Sequence, residues 1–191
     1  MRALLRILTL FFVCWLNSLL FADPSSSPSS LVANGTDFMI RSHRGGPSAS
    51  SVLERCRFLR KELQEMWFGT VPEGRWRPRC AVVLHATRTS YLQAVGRAAA
   101  QTSGSSLIRL DRGRIVSRQI DLLVDEQGRV TALPHELTHV VLADRFAGRR
   151  PPRWLDEGIA TLADSTDKQN LHLRDCRAAL HTGTALPMNE L

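Results

Sequence analysis

An α+β domain is the fold class this sequence predicts, a small mixed sheet with helices packed on one side. Three observations predict it. Cys80 to His85, Ser105 to Leu110 and Gln119 to Val124 are short apolar or alternating runs with the length of strands. Ser48 to Phe68 is a long stretch whose apolar residues recur at helical spacing. The chain then ends in helical patterns with no further strand between them, so helices gather at its C-terminal end.

The elements follow in order. Met1 to Arg6 is basic and Ile7 to Leu16 nearly all apolar, with Leu19 to Ala22 leading into Asp23-Pro24. That succession reads as a secretory signal peptide over residues 1–22, cleaved after Ala22, and predicts an exported protein, periplasmic, envelope-bound or extracellular. The apolar run is short for a bilayer span and Asn17-Ser18 interrupts it. Residues 23–36, with Pro24, Pro28 and a run of serines, read as a flexible linker. The domain proper is expected over 37–191.

Asp37 to His43 is expected as a first strand, broken by Gly45-Gly46-Pro47. In the helix from Ser48 to Phe68, Val52, Cys56, Leu59, Leu63, Met66 and Trp67 form one apolar stripe, and Gly69 stops it. Pro72 to Pro78 is a loop, Cys80 to His85 a buried strand, Ser90 to Ala100 a helix. Two more strands, Ser105 to Leu110 and Gln119 to Val124, precede the stretch that organises the chain. A helix from about Asp167 to His181 and a turn at Thr182 to Pro187 close it.

That stretch opens with His135-Glu136-Leu137-Thr138-His139 and closes with Trp154-Leu155-Asp156-Glu157-Gly158. On a helix His135 and His139 lie one turn apart on one face, so two imidazoles converge on one metal ion. Glu136, about 100° round the helix, reaches a metal-bound water without ligating the metal. Pro134 suits a first helical turn, Thr131 is placed to help cap it, and Gly148 is a stop signal near Phe146. Arg149 to Arg153, with two prolines, forces a turn. A second helix begins near Trp154 with Asp156 and Glu157 in its first turn. A third ligand from it would complete a His₂-carboxylate site with one open position.

These residues resemble the gluzincin metallopeptidases, the group that includes thermolysin and the zinc aminopeptidases. The W-x-x-E-G-x-A wording of Trp154 to Ala160 is especially similar to the aminopeptidase branch and to small secreted bacterial relatives. Seventeen residues separate His139 from Glu157, slightly fewer than in the best-known members. The resemblance covers about residues 131–164 and implies a zincin-like fold, Zn²⁺ held by His135, His139 and Glu157, and Glu136 as general base. Asp156 is then expected behind the ligands or facing solvent. A peptide or protein substrate is implied, paired by strand addition with the sheet edge, formed by either Ser105 to Leu110 or Gln119 to Val124. The alternative is an inactive zinc-binding relative that captures peptides or docks on a partner.

Gluzincins usually add a downstream Tyr or His as an oxyanion donor. The single tyrosine, Tyr91, lies upstream, which leaves His172 and His181. The family usually continues into further C-terminal helices. The chain is therefore minimal, truncated, or completed in its cleft by a partner.

Composition bounds the rest. Of 25 basic residues, Arg2 and Arg6 fall in the signal, leaving 23 against 18 acidic, a net of +5. Only Lys61 and Lys168 are lysine, and the arginines read as scattered and not grouped with aromatics, so no nucleic-acid partner is expected. With Cys14 in the signal, Cys56, Cys80 and Cys176 remain. Export permits a disulfide, and Cys56–Cys80 is the favoured pair, with small apolar core residues as the other reading.

Overall fold

The computed structural model describes residues 31–69, 74–146 and 151–184. The expected signal peptide, most of the linker, Gly148 to Arg150 and the end from Ala185 lie outside them. Five strands form one mixed sheet: β1 (Leu31–Asn34), β2 (Phe38–Ser42), β3 (Cys80–His85), β4 (Gly104–Asp111) and β5 (Arg114–Leu123), in the order β1-β2-β3-β5-β4. The inner pairs, β2 with β3 and β3 with β5, are parallel, and each outer strand is antiparallel to its neighbour. The helices are α1 (Ala49–Phe68), α2 (Arg88–Val95), α3 (Leu133–Phe146), α4 (Arg153–Leu162) and α5 (Thr166–Thr182). No helix among the described residues is long and apolar enough to cross a membrane.

The core sits between one sheet face and two helices. Along β3 and β5, Cys80, Val82, Leu84, Ile120 and Leu122 point to one face, where they meet Val52, Cys56 and Leu59 of α1 and Leu137, Val140 and Val141 of α3. The opposite face carries His85 and Asp121, and α2 covers it through Ser90, whose Oγ lies 2.9 Å from His85 Nδ1. Helices therefore flank the sheet on both sides and not on the one side expected, because the apolar alternation of β3 gives way to a polar residue, His85, that a neighbouring helix satisfies.

Capping residues set the helix limits. Ser48 accepts from Ser51 N at the start of α1, and Gly69, in the left-handed conformation, ends it. Gly96, with φ of 93°, breaks the helix expected to run to Ala100; a short 3₁₀ turn, Arg97–Ala99, follows it. At the other end of the chain, α5 buries none of its residues and leaves Leu171, Leu173 and Leu180 exposed.

Two further expectations need correction. Leu31–Asn34, read as linker, is strand β1, because its backbone completes the edge of β2 with Leu31 opposite Ser42 and Asn34 opposite Met39. Cys56 and Cys80 are free thiols, both buried in the core, and Cys176 is an exposed one. The two buried cysteines pack as small apolar residues among leucine and valine. Arginines scattered in the sequence also gather in space: Arg57, Arg75, Arg77 and Arg79 line one depression beside the β1–β2 turn.

Candidate metal centre

Two helices build the site. Helix α3 presents His135 and His139 from one face, with ring centroids 5.0 Å apart. Helix α4 follows after the proline turn, with Pro152 at its N-cap, and its first turns carry Asp156 and Glu157. The ligand-type atoms of His135, His139 and Glu157 all lie within 4.8 Å of one another. Glu157 Oε2 stands 3.7 Å from His135 Nε2 and 3.9 Å from His139 Nε2. Tetrahedral zinc with bonds of 2.0–2.1 Å would separate its donors by roughly 3.4 Å, so the two imidazoles and one carboxylate fit such an ion with small side-chain shifts.

The far nitrogens of both rings face carboxylates. Asp164 Oδ2 lies 3.0 Å from His135 Nδ1 and hydrogen-bonds with it. A proton fixed on Nδ1 leaves the Nε2 lone pair for a cation. Asp156 Oδ1 is also 3.0 Å from His139 Nδ1, but out of line, and that buried nitrogen has no properly directed acceptor. We therefore count the Asp156 contact as electrostatic and the Asp164 contact as a hydrogen bond.

Burial is the largest single influence and would by itself lower His135 and raise Asp164, but their mutual hydrogen bond together with the neighbouring charges outweighs it on both sides. His135 is held above its usual range, and Asp164, which Lys168 Nζ also donates to at 2.8 Å, is held below the usual carboxylate range.

Glu136 sits apart from the three ligand-type residues. It is 8% exposed, and burial pushes its carboxyl above the ordinary range, aided by the Glu157 charge. His139, Ser106 and His135 oppose that rise. Its side chain lies over Gly104, where an added Cβ would come 2.7 Å from Glu136 Cγ and 2.8 Å from Oε1.

Beside the site a cleft of about 480 Å³ runs between β4 and the second half of α3. The sheet order decides between the two candidate edge strands. β4 is outermost, with Ser105 to Leu110 beside the cleft, whereas Gln119 to Leu123 of β5 lies inside, between β3 and β4.

Sequence reasoning placed His135, Glu136, His139 and Glu157 around one point; the fold brings His135, His139 and Glu157 together, and His139 and Glu157 line the cleft. It missed Asp164 and Gly104. Asp164 follows Glu157 by seven residues, two helical turns, so a search for carboxylates on that face had a signal to find. Gly104 carried a weaker one, a lone glycine opening a strand pattern.

The candidates for an oxyanion donor lie elsewhere. Tyr91 is fully buried, with its hydroxyl 2.7 Å from Thr102 Oγ1. His172 approaches Asp164, on the Nδ1 side of His135 away from the ligand face, and His181 is on the exposed last turn of α5. Compared with protein-family models, with characterised proteins and with solved structures, the chain matches none at a significant level.

Proposed function

We propose that the chain is an exported zinc-dependent peptidase of gluzincin type, with a zincin-like fold, that hydrolyses peptide bonds. One observation carries the reading. Two histidines one turn apart turn their Nε2 atoms toward Glu157 Oε2, and a buried glutamate stands beside them without joining the cluster. The basic and apolar N-terminus of the sequence supports export.

His135, His139 and Glu157 would hold a zinc ion, and that ion when bound would supply Lewis acidity, lowering the pKa of water and polarising the scissile carbonyl. The chain's own groups do the rest. Glu136 accepts the proton of the attacking water and returns it to the leaving amine, a cycle that a carboxyl raised by burial performs in both directions. Asp164 fixes the tautomer of His135. The outer edge of β4 offers backbone groups to an extended substrate.

The test is Glu136→Gln. With zinc content held equal to wild type, hydrolysis of a peptide mixture should fall by about 10²–10⁴-fold, the usual contribution of a general base. Equal turnover by both proteins would refute the role. Bound zinc without turnover in the wild type would leave a metal-binding, peptide-capturing relative.

A further inference from the structure

The position of Glu136 also fixes which way a substrate lies, a deduction that rests on the peptidase reading above. The leaving amine has to come within hydrogen-bond reach of Glu136, the group that protonates it. Glu136 lies over Gly104, at the start of β4 and the N-terminal half of α3. The amine-side half of the substrate therefore leaves past Gly104. The acyl-side half extends the opposite way, past His139 and along β4 toward Leu110. A substrate so placed runs antiparallel to β4.

That acyl-side path is the 480 Å³ cleft. Its β4 and α3 walls are largely apolar: Ile108 and Leu110 from β4, Ala143 and Phe146 from α3. Phe146 is 38% exposed. Such surface stands in water at a cost of about 25 cal/mol per Å² unless something covers it.

The charged groups in the walls are already engaged. Asp156 lies against His139, Glu157 faces the histidine pair, and the Arg153 guanidinium stands 4.0 Å from the other Glu157 oxygen. Among the described lining residues the carboxylates, Asp156 and Glu157, both face the histidine pair, and the Arg153 guanidinium would repel a free α-ammonium group.

We propose that the cleft binds an internal stretch of peptide on the acyl side of the cleaved bond, and that Ile108, Leu110, Ala143 and Phe146 select a large apolar side chain there. The chain is on this account an endopeptidase for extended apolar segments, not an enzyme that counts from a free amino terminus.

Two measurements test it together. In the first, zinc-loaded full-length protein digests a peptide library in free and N-acetylated forms, and the cut bonds are mapped by mass spectrometry. Acetylated peptides should be cut as readily as free ones, with Leu, Ile and Phe enriched on the acyl side roughly 10-fold or more over Gly and Ser, within the range one apolar pocket achieves. Ala143→Phe, which fills the cleft, should move that preference toward small residues, and Phe146→Ala should broaden it toward larger ones, each checked for zinc content and circular dichroism.

In the second, fluorescence polarisation follows binding of acetylated Leu/Phe-rich and Gly/Ser-rich peptides to zinc-loaded Glu136→Gln. The apolar peptide should bind about 10-fold more tightly. Cleavage restricted to free amino termini, or cleavage with no apolar preference, overturns the inference and leaves the peptidase reading standing. No cleavage by wild type together with discriminating binding overturns the peptidase reading and supports the cleft assignment. Neither cleavage nor discrimination overturns both.

Discussion

At Gly104 the backbone of β4 passes so close to α3 that an added methyl group would lie 2.7 Å from both Ala132 Cβ and Glu136 Cγ. Contacts that short cannot stand, and Glu136 is the more mobile neighbour. Gly104→Ala should therefore displace the Glu136 carboxyl, lowering kcat/KM for peptide hydrolysis about 10²-fold while zinc content stays that of wild type. Unchanged kcat/KM would show that Glu136 finds its place without this gap.

The cysteines give a second prediction at this scale. Burial pushes the Cys56 thiol up to about 12 and Cys80 higher still, from an ordinary value of 9.0. A raised acid keeps its proton in the fold and loses it first in the unfolded chain. The stability this confers is full below pH 9 and is lost as pH rises through 9 toward 12. Iodoacetamide at pH 8.5 should mark the exposed Cys176 in the native protein and leave Cys56 and Cys80 unmarked until denaturant is added, with unfolding free energy falling between pH 8 and 10. Equal labelling of all three would contradict it. Sequence alone left the Cys56–Cys80 pairing open, because spacing does not say whether two buried thiols are bonded or packed.

The elements were legible where one periodicity ran uninterrupted between clear stops. Cys80 to His85 is a strand with those limits, and the helix read from Ser48 to Phe68 begins one residue later, with Ser48 as its cap. The pattern failed where exposure hides it. Arg114 to Arg118 lies outside the strand expected over Gln119 to Val124, yet it extends β5, because Arg112 and Gly113 take positive φ (47° and 76°) and turn β4 back on β5 as a hairpin.

Trp76 was equally hidden, a loop residue in sequence and 2% exposed in the fold. Arg60 lies 4.4 Å from its ring centre and Arg118 5.1 Å. Its Nε1 donates to Asp144 of α3 at 2.9 Å, and Arg118 also pairs with Asp144. Its backbone N–H donates to Asp37, which pairs with Arg60 at 2.8 Å. Trp76 thus ties α1, β5 and α3 together behind the histidines. Trp76→Ala should cost about 3–5 kcal/mol of folding stability in denaturant titration, because it also strips partners from buried charges. A loss under 1 kcal/mol would mean that the two arginines and Asp144 hold without the ring.

Across the whole molecule, the sheet has two different edges. The β1 edge lies beside the four-arginine depression, and the β4 edge beside the apolar cleft and the histidine pair. This polarity was not legible in the sequence, since strand order depends on which connections cross over and not on local pattern. The candidate site was far more legible. Its spacing lies within one contiguous stretch, and two helices joined by a proline turn bring His135, His139 and Glu157 together with little help from the rest of the fold.

The same simplicity makes the binding of one cation by those three side chains directly measurable. Chelator-stripped protein titrated with cobalt(II) and followed by visible absorption should take up one equivalent with the intense band of a four-coordinate ion, and Glu157→Ala should lose that band and bind at least 10-fold more weakly. No uptake, or the same spectrum and affinity in Glu157→Ala, would contradict the account.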